Sequence, residues 1–220
     1  MEGPSDATAL ERYFTRYFDN DRIVTKIIYG DMTTQKGLGA TNIKAHIGKC
    51  IKNWMEKDKF RKQDIKEIIH IVDMDGAYID DGAIKYNTCV SKIRYTNYQI
   101  ETHNIDNICR RNQQKREILN TLSRISHDVG IYKGIPYGVY YMSCNLDHVL
   151  YDLQNATDKE KEDRSMEFAD QYIDNIDDFI HFLCKSSFSK CDNYKDSWDF
   201  IKQGNNSLCR YSNLGICFKN

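Results

Sequence analysis

Apolar residues recur along this chain in two rhythms. In PSDATALERYFTRYFDN, Leu10, Tyr13, Phe14, Tyr17 and Phe18 fall three or four positions apart. That spacing predicts a helix with one apolar face, capped by Ser5 or Asp6. RIVTKIIYG then reads as a short strand ending at Gly30, and GDMTTQKGLGATN as a polar loop. A second helix is predicted from about Asn42 to Glu56, with Ile43, Ile47, Ile51 and Trp54 on one side. In EIIHIVDMDG the rhythm changes. Ile68, Ile69, Ile71 and Val72 form a nearly unbroken run, which suits a strand buried on both faces of a parallel sheet.

KIRYTNYQIET predicts an edge strand. NIDNICRRNQQKREILNTLSRISHD predicts a helix with Ile108, Ile118, Leu119, Leu122 and Ile125 on its apolar face. PYGVYYMSCN is a further strand, and LDHVLYDL opens a helix after it. Beyond Leu153 the pattern shifts. NATDKEKEDRS reads as a charged linker or a helix start. MEFADQYIDNIDDFIHFLCKS reads as one long helix and SWDFIKQ as a shorter one, while GNNSLCRYSNLGICFKN shows neither rhythm. Alternating helices and strands argue for an α/β fold with a parallel sheet and right-handed crossovers. The expected division is an α/β unit over 1–153 and a helical extension over 154–220. In such sheets ligands bind at the carboxyl ends of the strands.

Composition narrows the function classes. With 220 residues and 40% hydrophobic content the chain can bury one core, or one domain with an appendage. A net charge of -1 means that nucleic-acid binding requires a local patch. Arg110, Arg111, Lys115 and Arg116 supply a candidate patch on one predicted helix, either gripping phosphates or forming a solvated basic face. No apolar run approaches the roughly 18 residues of a membrane span, and the N-terminus lacks a signal-peptide pattern. The eight Cys include no C-x-x-C pair, so zinc spacing is absent. Free thiols in a cytoplasmic protein are the expectation.

The candidate chemistry lies in carboxylates. HIVDMDG sets Asp73 and Asp75 at a predicted strand end. Two residues apart on a strand, side chains point the same way, so both can face one hard cation. A turn with two solvated acids is the plain alternative. Near the N-terminus, EGPSD places Glu2 directly before a turn and a helix start, with Asp6 one turn on.

Glu2-Gly3 with Asp6, followed later by Asp73-Met74-Asp75, resembles the TOPRIM family. The resemblance covers about residues 1–150, and its specific motifs occupy only a dozen of them. EGPSDA is most similar to the OLD-type nucleases and to RloB-like stand-alone defence nucleases. In the latter, a strand running into an Asn-containing turn and an acidic helix start comes later, and MSCNLDHVLY is similar to it, with Asp147 as the acid. The resemblance implies a TOPRIM-like (Rossmann-like) sheet and an Mg²⁺- or Mn²⁺-dependent endonuclease of DNA or RNA. It implies metal ligation by Glu2, Asp6, Asp73 and Asp75, with catalysis by Glu2, Asp73 and Asp75. It also implies a role in anti-phage defence beside an ATPase partner. The family's first strand precedes the Glu, so the resemblance implies a strand upstream of Met1. His148 adjoins Asp147 and is an accessory candidate.

Two other readings compete. DMDG also resembles the first motif of HAD phosphatases, with Asp73 as nucleophile and Asp75 as acid/base. That reading leaves EGPSD unexplained. The third is a TOPRIM-shaped module that binds nucleic acid or a partner without turnover.

Overall fold

Parallel pairing of two strands forms the centre of the fold. In the computed structural model, which describes residues 3–18 and 31–219, strand β1 (Ile68–Asp73) pairs with β5 (Tyr137–Met142) in the register Ile68 opposite Tyr137 through Asp73 opposite Met142. Between them in sequence lie a small second sheet and a long helix. The small sheet has β4 (Ile100–Thr102) at its centre, parallel to β2 (Ile84–Tyr86) and antiparallel to β3 (Arg94–Tyr95). KIRYTNYQIET, expected as one edge strand, therefore contributes β3, a turn and β4. The helix is α3 (Ile105–Leu122), started by Asn104, whose side chain accepts from the Asn107 N–H. The predicted strand RIVTKIIYG lies outside the described residues.

Strand alternation explains the layers. Ile71, Tyr140 and Met142 point to one side of the β1–β5 ladder, and Val72, Val139 and Tyr141 to the other. The first side is covered by α1 (Pro4–Tyr17), α5 (Asp158–Gln171) and α6 (Ile176–Lys185), through Leu10, Tyr13, Phe14, Phe168, Phe179 and Leu183. The second side is covered by α2 (Ile43–Lys57), α3 and α7 (Tyr194–Ile201), through Ile47, Ile51, Ile118, Leu122, Trp198 and Ile201. A small parallel sheet with helices on both faces is thus an α/β arrangement, and it accounts for the unbroken apolar runs in both strands. The residues beyond 153 share a core with α1 and β5.

The C-terminal tail, which had no sequence rhythm, lies along β5. Ser212 bridges Met142 in antiparallel sense, and the Asn213 side chain accepts from the Tyr141 N–H at 2.8 Å. The tail thereby satisfies part of a strand edge that would otherwise need another partner. Among the described residues no helix is long and apolar enough to cross a membrane.

The stretch MEFADQYIDNIDDFIHFLCKS, expected as one helix, is broken into α5 and α6. Helix α5 begins earlier than expected, at Asp158, where Thr157 and Glu160 form a reciprocal capping box. It stops because the Tyr13 hydroxyl enters its last turn. That hydroxyl donates to the Phe168 carbonyl and accepts from the Tyr172 N–H, two backbone groups that would otherwise bond each other along the helix. Asn175 then caps α6, accepting from the Asp177 N–H at 3.1 Å. The Tyr13 ring stacks on Phe179 at a centroid distance of 4.1 Å.

Tyr13→Phe removes only the hydroxyl and leaves the ring. It is expected to cost about 1–3 kcal/mol in urea unfolding, with the aromatic core kept. Phe179→Ala empties a fully buried position and is expected to cost about 3–5 kcal/mol. If Tyr13→Phe left the unfolding midpoint unchanged, the hydroxyl would not be what separates the two helices.

Candidate carboxylate site

Both central strands end at the same edge, and each delivers an acid there. Asp73 is the last residue of β1. Its Oδ1 accepts from the Leu146 N–H at 3.0 Å. Leu146 opens α4 (Leu146–Tyr151), a short helix just past β5, capped by Asn145, whose side chain accepts from the His148 N–H. Asp147 lies in the first turn of α4. It is 4% exposed, and its Oδ2 sits 3.1 Å from Lys161 Nζ on α5.

Asp6 and Asp73 belong to the same electrostatic group. Burial works against the Lys161 ammonium, but attraction to Asp147 first, then to Asp73 and Asp6, raises its pKa above the ordinary lysine value. Burial also raises the Asp147 carboxyl. Lys161 opposes that rise through charge and hydrogen bond, and the Asp6 charge adds to it. Asp6 also holds the start of α1, with Oδ2 accepting from the Gly3 N–H at 3.0 Å. The expected cap was Ser5 or Asp6; the helix instead begins at Pro4, and Asp6 reaches back from its first turn.

Asp75 does something different. The strand ends at Asp73, and Asp75 and Gly76 both adopt left-handed backbone, with φ of 49° and 68°. The strand rule that would align Asp75 with Asp73 therefore does not apply. The Asp75 N–H donates to the Cys144 carbonyl at 2.7 Å. Its carboxylate turns to Lys115, whose Nζ donates to Asp75 Oδ2 at 2.5 Å and to Asp31 Oδ2 at 2.7 Å. Tyr95 donates its hydroxyl to Asp75 Oδ1 at 3.1 Å. Arg111 donates to the Tyr95 oxygen at 2.8 Å and to the Asp75 carbonyl at 2.7 Å. A residue with φ near +70° at position 76 must also lack a Cβ, which would lie 2.5 Å from Leu208 Cδ2.

Burial alone would raise the Asp75 carboxyl. The ammonium of Lys115 and then the guanidinium of Arg111 outweigh it and hold the group below the usual carboxylate range. Asp31 is lowered for related reasons: burial opposes, and Lys115 and the Thr33 hydrogen bonds win.

The basic face expected on α3 is accordingly divided. Lys115 is fully buried in the ion pair, and Arg111 is occupied by Tyr95 and the Asp75 backbone. Neither is exposed as a phosphate grip. Arg110 is exposed and donates to the Asp106 carbonyl, while Arg116 lies 3.7 Å from Asp81. His148, one residue past Asp147, faces a different side of α4. It sits 3.9 Å from Asp152, and burial depresses it to about 4, so it is neutral near pH 7. Glu2 lies outside the described residues.

An Mg²⁺ or Mn²⁺ site would require oxygen donors, and Mg²⁺ usually takes only one or two carboxylates, with water and phosphate completing its shell. Asp73 and Asp147 fit that chemistry, with Asp6 beside them. Asp75 does not fit, because the Lys115 ammonium and the Tyr95 hydroxyl hold both of its oxygens, whereas Lys161 pairs with Asp147 through Oδ2. Among the described residues no three His, Cys, Asp or Glu are grouped closely enough to hold a metal ion by themselves.

Sequence reasoning missed Lys161, Asp31 and Tyr95. Lys161 sits in DKEKEDRS, a run that reads as solvated surface. Asp31 carried a faint signal, since Asp-x-Thr favours a local turn, and its side chain does accept from the Thr33 N–H at 2.7 Å.

Lys115→Met leaves two half-buried carboxylates without their buried cation and is expected to cost about 3–5 kcal/mol at pH 7, read by urea unfolding. Asp31 and Asp75 have folded pKa values below 3.8. Their contribution is therefore present above pH 3.8 and is lost as pH falls through the folded values. The gap between wild type and Lys115→Met should narrow as the pH falls below about 4. A gap of constant size across that range would contradict the assignment.

No family model, curated protein or solved structure matches this chain, so the reading of the site rests on its own geometry.

Proposed function

We propose that the protein is a metal-dependent nuclease with a TOPRIM-like arrangement of its central strands. The observation that carries this reading is the placement of Asp73, bonded to the start of α4, and of Asp147, paired with Lys161, at the carboxyl ends of two adjacent parallel strands. Ligands of open α/β sheets bind at that edge. A bound Mg²⁺ or Mn²⁺ would supply positive charge against the scissile phosphate and lower the pKa of an attacking water.

The chain's own groups have distinct parts in this reading. Asp73 is held by the start of α4 and presents its carboxylate at the strand end. Asp147, with a raised pKa, is a better proton acceptor than an ordinary aspartate and is placed to take a proton from water. Lys161 keeps its proton and offers positive charge to a phosphate oxygen. Asp6 adds a further acid beside them, and Glu2 retains the role that the resemblance implies for it. Asp75 supports the turn rather than the chemistry. The phosphatase reading is disfavoured because it needs Asp75 as a mobile acid/base, and Lys115 and Tyr95 hold both of its oxygens.

Nucleic acid is the proposed substrate, with Arg110 and Arg116 the remaining α3 cations for phosphate contacts. An ATPase partner and a role in anti-phage defence belong to the same proposal through the resemblance alone.

The test is cleavage of single- and double-stranded DNA and RNA by purified protein with Mg²⁺ or Mn²⁺. Asp73→Asn, Asp147→Asn and Lys161→Met are each expected to slow cleavage at least about 100-fold with circular dichroism unchanged. Asp75→Asn should instead lower the melting temperature. Undiminished cleavage in both Asp147→Asn and Lys161→Met would sink the proposed site. Hydrolysis of small phosphomonoesters without nuclease activity would favour the phosphatase reading.

A further inference from the structure

Two thiols meet on the far side of the α1 core. Cys184 lies near the end of α6, and Cys191 follows it beyond a short turn. Both sulfurs crowd Gly215 in the 3₁₀ turn Leu214–Phe218. A Cβ placed on that glycine would lie 2.7 Å from Cys184 Sγ and 2.7 Å from Cys191 Sγ. Each thiol also faces a carbonyl: Cys184 donates to Gly215 O at 3.4 Å and Cys191 to Leu183 O at 3.5 Å. The two differ in access. Cys184 is half-buried, whereas Cys191 is 3% exposed. The Lys219 ammonium is anchored on the Cys191 carbonyl at 2.7 Å, which places a cation beside the pair.

We propose that Cys184 and Cys191 form an oxidisable dithiol, with Cys184 as the attacking sulfur and Cys191 as the resolving one. The co-reactant is a peroxide or a small disulfide. With hydrogen peroxide, the Cys184 thiolate attacks one oxygen, the O–O bond breaks and hydroxide leaves, giving a sulfenic acid. The Cys191 sulfur then attacks Cys184 Sγ. The S–O bond breaks, the S–S bond forms, and the Cys191 proton leaves with the hydroxyl as water. Two thiols are oxidised and one peroxide is reduced to water. With a small disulfide, exchange at Cys184 is followed by attack of Cys191 on the mixed disulfide, releasing two small thiols.

The electrostatics favour this division of roles. The neighbouring Cys191 thiol stabilises the Cys184 thiolate, burial opposes it, and Lys219 and Lys185 assist, bringing Cys184 down to about 7. Cys191 is pushed up by the same sharing and by its burial. A thiolate available near neutral pH on the more accessible sulfur is what an attacking cysteine requires. The new bond would tie the end of α6 to the segment before α7, around the turn that carries Phe218. Phe218 packs on Phe14 of α1, and its carbonyl accepts from the Tyr17 hydroxyl at 2.7 Å. Oxidation would therefore reinforce the face of the sheet that bears α1. The dithiol chemistry does not require nuclease activity.

The test is limited oxidation of the native full-length chain by hydrogen peroxide, and separately by oxidised glutathione. Remaining thiols are then alkylated and peptides mapped. The expected result is a Cys184–Cys191 linked peptide as the first disulfide, reversed by dithiothreitol. Native Cys184 should also alkylate about tenfold faster than the exposed Cys89 at pH 7. In Cys191→Ser, Cys184 should accumulate as a dimedone-trappable sulfenic acid, which keeps the proposal testable if Cys184→Ser fails to fold. The proposal is overturned if Cys184 stays reduced while Cys89 oxidises, or if the first disulfide joins Cys184 to Cys217.

Discussion

One buried ammonium orders the functional edge of this protein. Lys115 reaches from α3 with no exposed surface and binds Asp75 and Asp31 together. Two carboxylates in that setting repel each other and resist burial, and the cation between them is the largest influence that keeps both ionised. With it, the chain can turn sharply after β1 through two consecutive left-handed residues. Arg111 and Tyr95 complete the support by holding the Asp75 backbone and side chain. The small sheet, the long helix and the 31–34 turn thereby meet at the end of β1.

That bracing has a consequence for chemistry. The two acids of Asp-Met-Asp resemble one metal-binding pair in sequence, yet they have separate partners. Asp75 faces Lys115 and fixes the turn. Asp73 accepts from the start of α4 and joins the field of Asp147 and Lys161. The C-terminal tail holds both strand ends from outside, since the Ser207 carbonyl accepts from Gly76 N–H and Cys144 N–H at 3.1 and 3.0 Å. The candidate site is thus set by α4 and α5 as much as by the motif-bearing strand.

Much of this was readable in the chain because local pattern and tertiary role agree. Ile68–Val72 and Tyr137–Met142 are apolar on both faces, and both are covered on both sides. The helices α3 and α4 were readable as well, the first from its apolar spacing. What was hidden depends on contacts distant in sequence. Tyr13 breaks a helix more than 150 positions away, and no periodicity in MEFADQYIDNIDDFIHFLCKS reports that. Lys115 carries the spacing of a surface cation on a basic helix, and only Asp31 and Asp75 make it a buried one. Lys161 sits in a charged run, and the tail pairs through single residues, Ser212 and Asn213, with too little regularity to read as a strand. Asp147 was named only through the resemblance of MSCNLDHVLY to a family pattern, and its pairing with Lys161 had no signal in the chain.

The central claim is that Asp75 is committed to Lys115 and serves the turn. A double-mutant cycle on stability tests it most directly, using Asp75→Asn, Lys115→Met and the pair together. The account predicts strong coupling, with the double variant less destabilised than the sum of the singles by about 2–3 kcal/mol. Costs that simply add would contradict it, and would return Asp75 to the metal site beside Asp73.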